Sequence, residues 1–177
     1  MDVEVRRRFD RYATSPTTWD PVTGGRRPAV AWDDDLTVDL GPDMDGHRFK
    51  DIADLMVTGR YYPPDIILFH RPTDAPLRVG ERVLQQAFCR GLSLWSMVEI
   101  FLAERTEDAC RIGYVTTAKH HGRGIWQAHL SRGNGRLSLR VFSTAGPQSF
   151  WFWIGLPVAR YLQLRARRKA LERFRSL

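Results

Sequence analysis

From Ile66 onward the apolar residues of this chain recur at every second position, and they keep that period as far as Ser143. A period of two marks strands whose side chains alternate between core and solvent. The runs are IILFH (Ile66–His70), ERVLQQAFCR, SLWSMVEIFLAER, CRIGYVTTAKH, GIWQAHLSR and RLSLRVFS. Turn chemistry separates several of them: Thr106-Glu107-Asp108, His121-Gly122-Arg123-Gly124 and Gly133-Asn134-Gly135. Asn-Gly readily takes the positive φ angles of a tight hairpin. Strands joined by such short turns pair antiparallel, because a parallel pair needs a crossover of a dozen or more residues. This stretch therefore excludes a doubly wound parallel sheet and predicts an antiparallel meander of six strands.

Two helices frame the meander. Phe49, Ile52, Ala53, Met56 and Val57 form one apolar stripe at helical spacing, which predicts a helix over Phe49–Thr58. Asp45 is placed to cap its start, Gly59 suits the left-handed residue after its end, and Pro63-Pro64 prevents continuation. At the C-terminus Val158, Leu162, Ala166, Ala170 and Phe174 make an every-fourth-residue row, flanked by Leu156, Ala159 and Leu171. The two alanines let a helix lie close to a sheet, or leave room beneath it. Before the first helix, Leu36, Val38 and Leu40 alternate with Thr37 and Asp39, a short strand closed by Gly41-Pro42. The aspartates of WDDDLTVDLGPDMDG lack the spacing of a calcium loop and read as a solvated acidic loop. Residues 1–31 show little apolar periodicity, and Ser15-Pro16-Thr17-Thr18 and Gly24-Gly25 predict an extended or partly disordered lead-in. Residues 32–177 then form a single α+β domain, a curved antiparallel sheet of six to seven strands gripping a long C-terminal helix. A cavity between sheet and helix is a natural place for a small molecule.

At 177 residues the chain suits one domain, and no apolar run is long enough to cross a membrane as a helix. MDVEVRRRFDRY lacks the apolar centre of a secretory signal. Cys89 and Cys110 lie within apolar-patterned runs and read as buried thiols in a reducing cytoplasm. The net charge of +7 is concentrated at the end. Arg160, Arg165, Arg167, Arg168, Lys169, Arg173 and Arg175 face a single acid there, Glu172. Arg165, Arg167, Arg168 and Lys169 on a helix can bind an anionic membrane surface or nucleic acid. Only three of the 27 basic residues are lysine, which equally fits a chain from an arginine-rich proteome.

The element order resembles the helix-grip superfamily of START lipid-transfer, birch-pollen-allergen-like and polyketide-cyclase domains. More specifically, Tyr114-x-Thr116-x-x-x-His120-x-x-x-Gly124 is similar to the Tyr-Gly-Thr-Leu-x-Gly-His-x-x-x-Gly-Glu-Glu motif of domain-of-unknown-function family nineteen-ninety. Val79-Gly80 before a strand, Phe142-Ser143 closing one, and Pro157-x-x-Arg160-x-x-Gln163 in the last helix match that family too. The resemblance spans about residues 46–174. It implies the helix-grip fold and leaves the biochemical role open. Ile125 and Trp126 stand where relatives often carry two glutamates, and Val115 and Lys119 where they carry glycines.

Several residues are candidates for a site. Tyr114 and Thr116 share a strand face with Cys110, Ile112 and Ala118, so two hydroxyls point inward and need partners. They bond either to the protein and water or to a ligand. On a continuing strand His120 has the parity of Tyr114 and Thr116, and His121 the opposite one. His120 either fixes the hairpin or, with Tyr114, serves as a proton donor and acceptor in a cyclase- or dehydratase-like reaction. Gln85 breaks the apolar face Val83–Ala87–Cys89 and is a second polar handle. Ser143 and Gln163 follow from the family pattern, and Leu162 from the apolar row of the last helix. Trp151 and Trp153 lie in the most hydrophobic stretch, Ser149–Pro157, which packs over the sheet, covers a pocket, or anchors at a membrane interface. None of the histidines and cysteines has the paired spacing of a zinc site, so no metal and no cofactor is expected. The ligand expected is a small apolar molecule.

Overall fold

A computed structural model describes residues 1–20, 31–89, 91–148 and 156–177 of the chain. Seven strands and three helices are formed among them: α1 (Val3–Ala13), β1 (Trp32–Pro42), α2 (His47–Val57), β2 (Ile67–His70), β3 (Arg82–Cys89), β4 (Leu92–Arg105), β5 (Ala109–Thr116), β6 (Gly122–Gly133), β7 (Arg136–Pro147) and α3 (Leu156–Arg175). All strands belong to one sheet in the order β1-β7-β6-β5-β4-β3-β2, with every pair antiparallel. The six-strand meander forms as the alternation requires, and β1 joins it beside β7 as the edge strand. Asn134 (φ 51°) and Gly135 (φ 69°) make the β6–β7 hairpin turn with the two positive φ angles expected of them.

The inner face of the sheet carries the core. Phe49, Ile52, Ala53 and Met56 of α2 are buried against Ile112, Leu130, Leu137 and Leu139. Gly59 follows α2 at φ +72°, as its C-terminal position demands. The start of α2 is capped differently from the expectation. Asp43, itself buried, accepts from the Arg48 and Phe49 N–H groups through its two oxygens (3.2 and 3.1 Å). Asp45 accepts from His47 N–H instead (3.1 Å).

The C-terminal half of α3 is fixed and its N-terminal half stands over a space. Ala166, Ala170 and Phe174 are buried, whereas Val158, in the same row, is 57% exposed. Arg173 donates to the carbonyls of Arg60 and Tyr62 (2.9 and 3.0 Å), and Arg48 donates to the carbonyls of Leu40 and Phe174 (3.1 and 3.3 Å). These bonds tie the end of α3 to α2, β1 and the segment that follows α2.

The lead-in departs from the expectation of an extended segment. Residues 3–13 form α1, capped by Asp2, whose Oδ1 accepts from Val5 N–H (2.9 Å). Its stripe is thin, Val5 and Phe9, and it packs on Leu84 and Met97 on the outer face of the sheet. Arg8 lies over the Trp95 ring at 4.7 Å. Residues 15–18 are then strapped to the end of β5: Thr18 N–H donates to Thr116 O (2.9 Å) and Ala118 N–H to Pro16 O (2.8 Å). Residues 21–30 lie outside the described part. Among the described residues no helix is long and apolar enough to cross a membrane.

Candidate functional site

The space under the N-terminal half of α3 is a cavity of about 220 Å³, roofed by Ala159, Leu162 and Ala166. A smaller void of about 30 Å³ adjoins it, and the two share Tyr62, Trp126, Val141 and Arg167. Trp126 of β6 forms the centre of one wall, stacked on Tyr114 at 5.2 Å and on Tyr61 at 5.3 Å. Ile66, Ile67, Ala87 and Leu94 extend the apolar surface toward β2, β3 and β4.

Three groups of polar side chains interrupt this lining. The first is on β3–β5. Gln85, buried, is hydrogen-bonded to Tyr114 and lies 3.4 Å from Ser96 Oγ. Burial pushes the Tyr114 hydroxyl up to about 12, with the Gln85 bond acting in the opposite direction, so it stays a neutral phenol.

The second group is the turn after β5. Both His120 and His121 line the cavity, contrary to the expectation that only one of them faces it. The strand ends at Thr116, and residues 117–121 form the turn, so strand parity no longer applies. Thr117 sets this turn: its hydroxyl donates to Met97 O (2.9 Å) and accepts from Lys119 N–H (3.2 Å), while His120 N–H donates to Thr117 O (2.9 Å). His120 Nδ1 lies 2.9 Å from Gly122 N and 2.8 Å from Gly122 O, so one or the other bond holds the ring according to its tautomer. Burial drives its pKa down to about 4, and the imidazole is neutral at physiological pH.

The third group joins the sheet to α3. Asp34 of β1 accepts from both terminal nitrogens of Arg160 and from Ser143, and Arg167 stands 3.7 Å away. Arg160 also donates to Gln163 Oε1 (3.0 Å). The Arg160 guanidinium holds the Asp34 carboxyl below the usual carboxylate range. The family-pattern residues Ser143 and Arg160 thus meet on one carboxylate, and Gln163 joins them through Arg160.

Of the residues expected at a pocket, Gln85, Tyr114, His120, Ser143, Leu162 and Gln163 line this cavity. Thr116 is not among the lining residues. Its hydroxyl accepts from Gly124 N–H (2.9 Å), reaches Gly124 O (3.2 Å) and lies 2.6 Å from Thr18 Oγ1, so it is satisfied by the protein. Gly124 itself (φ +154°) passes so close to β7 that a Cβ would overlap the carbonyl oxygen of Thr144. That contact explains the motif glycine. β7 continues through Ser143 to Pro147 instead of closing there. Trp151 and Trp153 lie outside the described residues.

Asp34, Trp126, Arg167 and His121 are site residues that the sequence reading missed. A signal for Asp34 exists: Trp32, Asp34, Leu36, Val38 and Leu40 share one parity, which puts a single aspartate among the inward-facing residues. Asp35 and Asp39, of the other parity, pair on the outside with Arg140 and Arg136.

Solved structures share this architecture at low sequence identity. Hypothetical protein jhp0584 from Helicobacter pylori is similar with a TM-score of 0.55 and 11% identity, over 83% of this chain and 86% of its own. A norcoclaurine synthase point mutant from Thalictrum flavum, in complex with a transition state analogue, gives 0.54 and 9%, over 85% and 97%. A protein from Arthrobacter aurescens gives 0.52 and 14%, over 81% and 83%. Such identities establish a shared fold and nothing of the chemistry. No curated protein matches the chain in sequence. Residues 13–173 match the model of the family described as Domain of unknown function (DUF1990), and the chain belongs to that family.

Proposed function

We propose that this protein binds a small, mainly apolar molecule in the cavity between the sheet and α3. The observation that carries the reading is the cavity of about 220 Å³ with an aromatic wall and three separated polar groups. An engineered apolar cavity of about 150 Å³ holds benzene, so the present one suits a ligand of one or two rings. Gln85, Ser96, Gln163 and the two histidines supply the few orienting polar contacts that such pockets use. Cys89 and Cys110 are both free, in keeping with the reducing, cytoplasmic setting proposed for it.

Proton-transfer catalysis by His120 and Tyr114 is the weaker reading. A general base works best with a pKa near the working pH. His120 at about 4 and Tyr114 at about 12 are both far from neutrality, and both suit hydrogen bonding to a ligand better than proton exchange with it. Binding to membranes or nucleic acid through the basic helix is also disfavoured. Arg160 and Arg173 are committed to Asp34 and to backbone carbonyls, and Arg168 and Lys169 both approach Glu172.

Calorimetric titration with 1-naphthalenemethanol tests the cavity reading. Saturable binding to the native chain is expected, and its loss in Ala166→Phe, whose ring enters the cavity from α3, with the melting temperature retained. Equal binding by both proteins places the probe elsewhere and removes the reading.

A further inference from the structure

The cavity has an uneven charge. Among the described residues its lining holds one carboxylate, Asp34, against Arg165 and Arg167, and Asp34 is already spoken for. Both terminal nitrogens of Arg160 and the Ser143 hydroxyl occupy its oxygens. Arg167 is left at 3.7 Å, beyond hydrogen-bond reach, and among the described residues it makes no hydrogen bond. Its side chain is 28% exposed and lines both the main cavity and the adjoining void, beside Tyr62 and Trp126. Arg165, two residues earlier on α3, also lines the cavity and has no carboxylate partner among the described residues. His120, half-buried and neutral, adds no charge of its own. A guanidinium at the wall of a half-enclosed aromatic space gains most from an oxyanion, which it can take in two parallel bonds.

We propose that the ligand is an acid, a small aromatic molecule bearing one carboxylate or phosphate, with the oxyanion on Arg167 and the ring against Trp126. This rests on the cavity reading above and narrows it to a chemical class. Arg160 belongs to the frame and not to the ligand, since Asp34 holds it. Arg167 is the residue that selects charge.

The test compares two probes of one shape and different charge, 1-naphthoic acid and 1-naphthalenemethanol, by calorimetry at pH 7 on the full chain. The acid should bind at least tenfold more tightly than the alcohol. Arg167→Gln should erase that preference, and Arg167→Lys should restore part of it. The Asp34–Arg160 pair stays in place in both variants, and unchanged melting temperatures would show it. 1-Naphthyl phosphate as a third probe assigns the oxyanion, and tighter binding than the alcohol by either acid supports the proposal. Equal affinities for acid and alcohol in the native chain overturn it and leave the cavity reading standing. So does a preference that survives in the Arg165→Gln, Arg167→Gln double variant. If neither probe binds at millimolar concentration, the cavity reading fails and this inference fails with it.

Discussion

Asp34→Asn is the most informative perturbation of the seam between sheet and helix. It preserves volume and removes the charge that Arg160 grips, Ser143 bonds and Arg167 approaches. The Asp34 side chain is 14% exposed and that of Arg160 33%. The pair is therefore neither an exposed one, worth about 0–1 kcal/mol, nor a fully buried one, whose breakage costs about 3–5 kcal/mol. Hydrogen bonds to charged groups contribute about 1.5–3 kcal/mol net, and we expect Asp34→Asn to cost about 2 kcal/mol. For a chain of this length that lowers the melting temperature by roughly 4–8 °C. The sign with pH follows from the depressed carboxyl. The stabilisation is fully present above the unfolded carboxylate value of about 3.9, and is lost as pH falls through the lower folded value. Urea melts of the native chain and the variant should thus differ at pH 7 and converge only below the ordinary carboxylate range. Arg160→Gln should cost a similar amount, and the double variant much less than the sum of the two. A variant within about 0.5 kcal/mol of the native chain at pH 7, or strict additivity, refutes the seam.

Gly124→Ala should destabilise by about 3 kcal/mol or more, because strained φ and overlap with the Thr144 backbone act together; chemical denaturation checks it. Thr116→Val strands the buried Gly124 N–H and should cost about 1–3 kcal/mol, with the affinity for 1-naphthalenemethanol unchanged in calorimetry. His120 should titrate near 4 by NMR. Since the unfolded histidine binds its proton near pH 6.5, stability should fall as pH drops from 6.5 toward 4, and His120→Gln should flatten that slope.

The strands were legible because a sheet with one buried face writes its period into the sequence, and the Asn134–Gly135 turn fixed one hairpin outright. α1 was hidden by its thin stripe: Val5 and Phe9 are set among arginines and pack on Leu84, Met97 and Trp95. The site was legible in its parts and not in its assembly. Parity put Tyr114 and Gln85 on the face that lines the cavity, but extending β5 through His120 ignored the turn that Thr117 builds with Met97 and Lys119. Parity also put Thr116 inward without saying that Gly124 and Thr18 would consume its hydroxyl. Asp34 was lost in a run of aspartates, because composition suggested a solvated loop where alternation held a strand. Long-range pairing supplied the missing information: only the β1–β7 register puts Asp34 beside Ser143 and under Arg160.

The most direct test of the central claim uses tryptophans as internal reporters. Trp126 and Trp32 line the cavity, whereas Trp95 packs with α1 on the opposite face of the sheet. Titration of ¹⁵N-labelled protein with 1-naphthalenemethanol, followed through the indole N–H resonances, should move Trp126 and Trp32 saturably and together, and leave Trp95 in place. Movement of Trp95 as large as that of Trp126, or a Trp126 that never shifts, would contradict binding between sheet and helix.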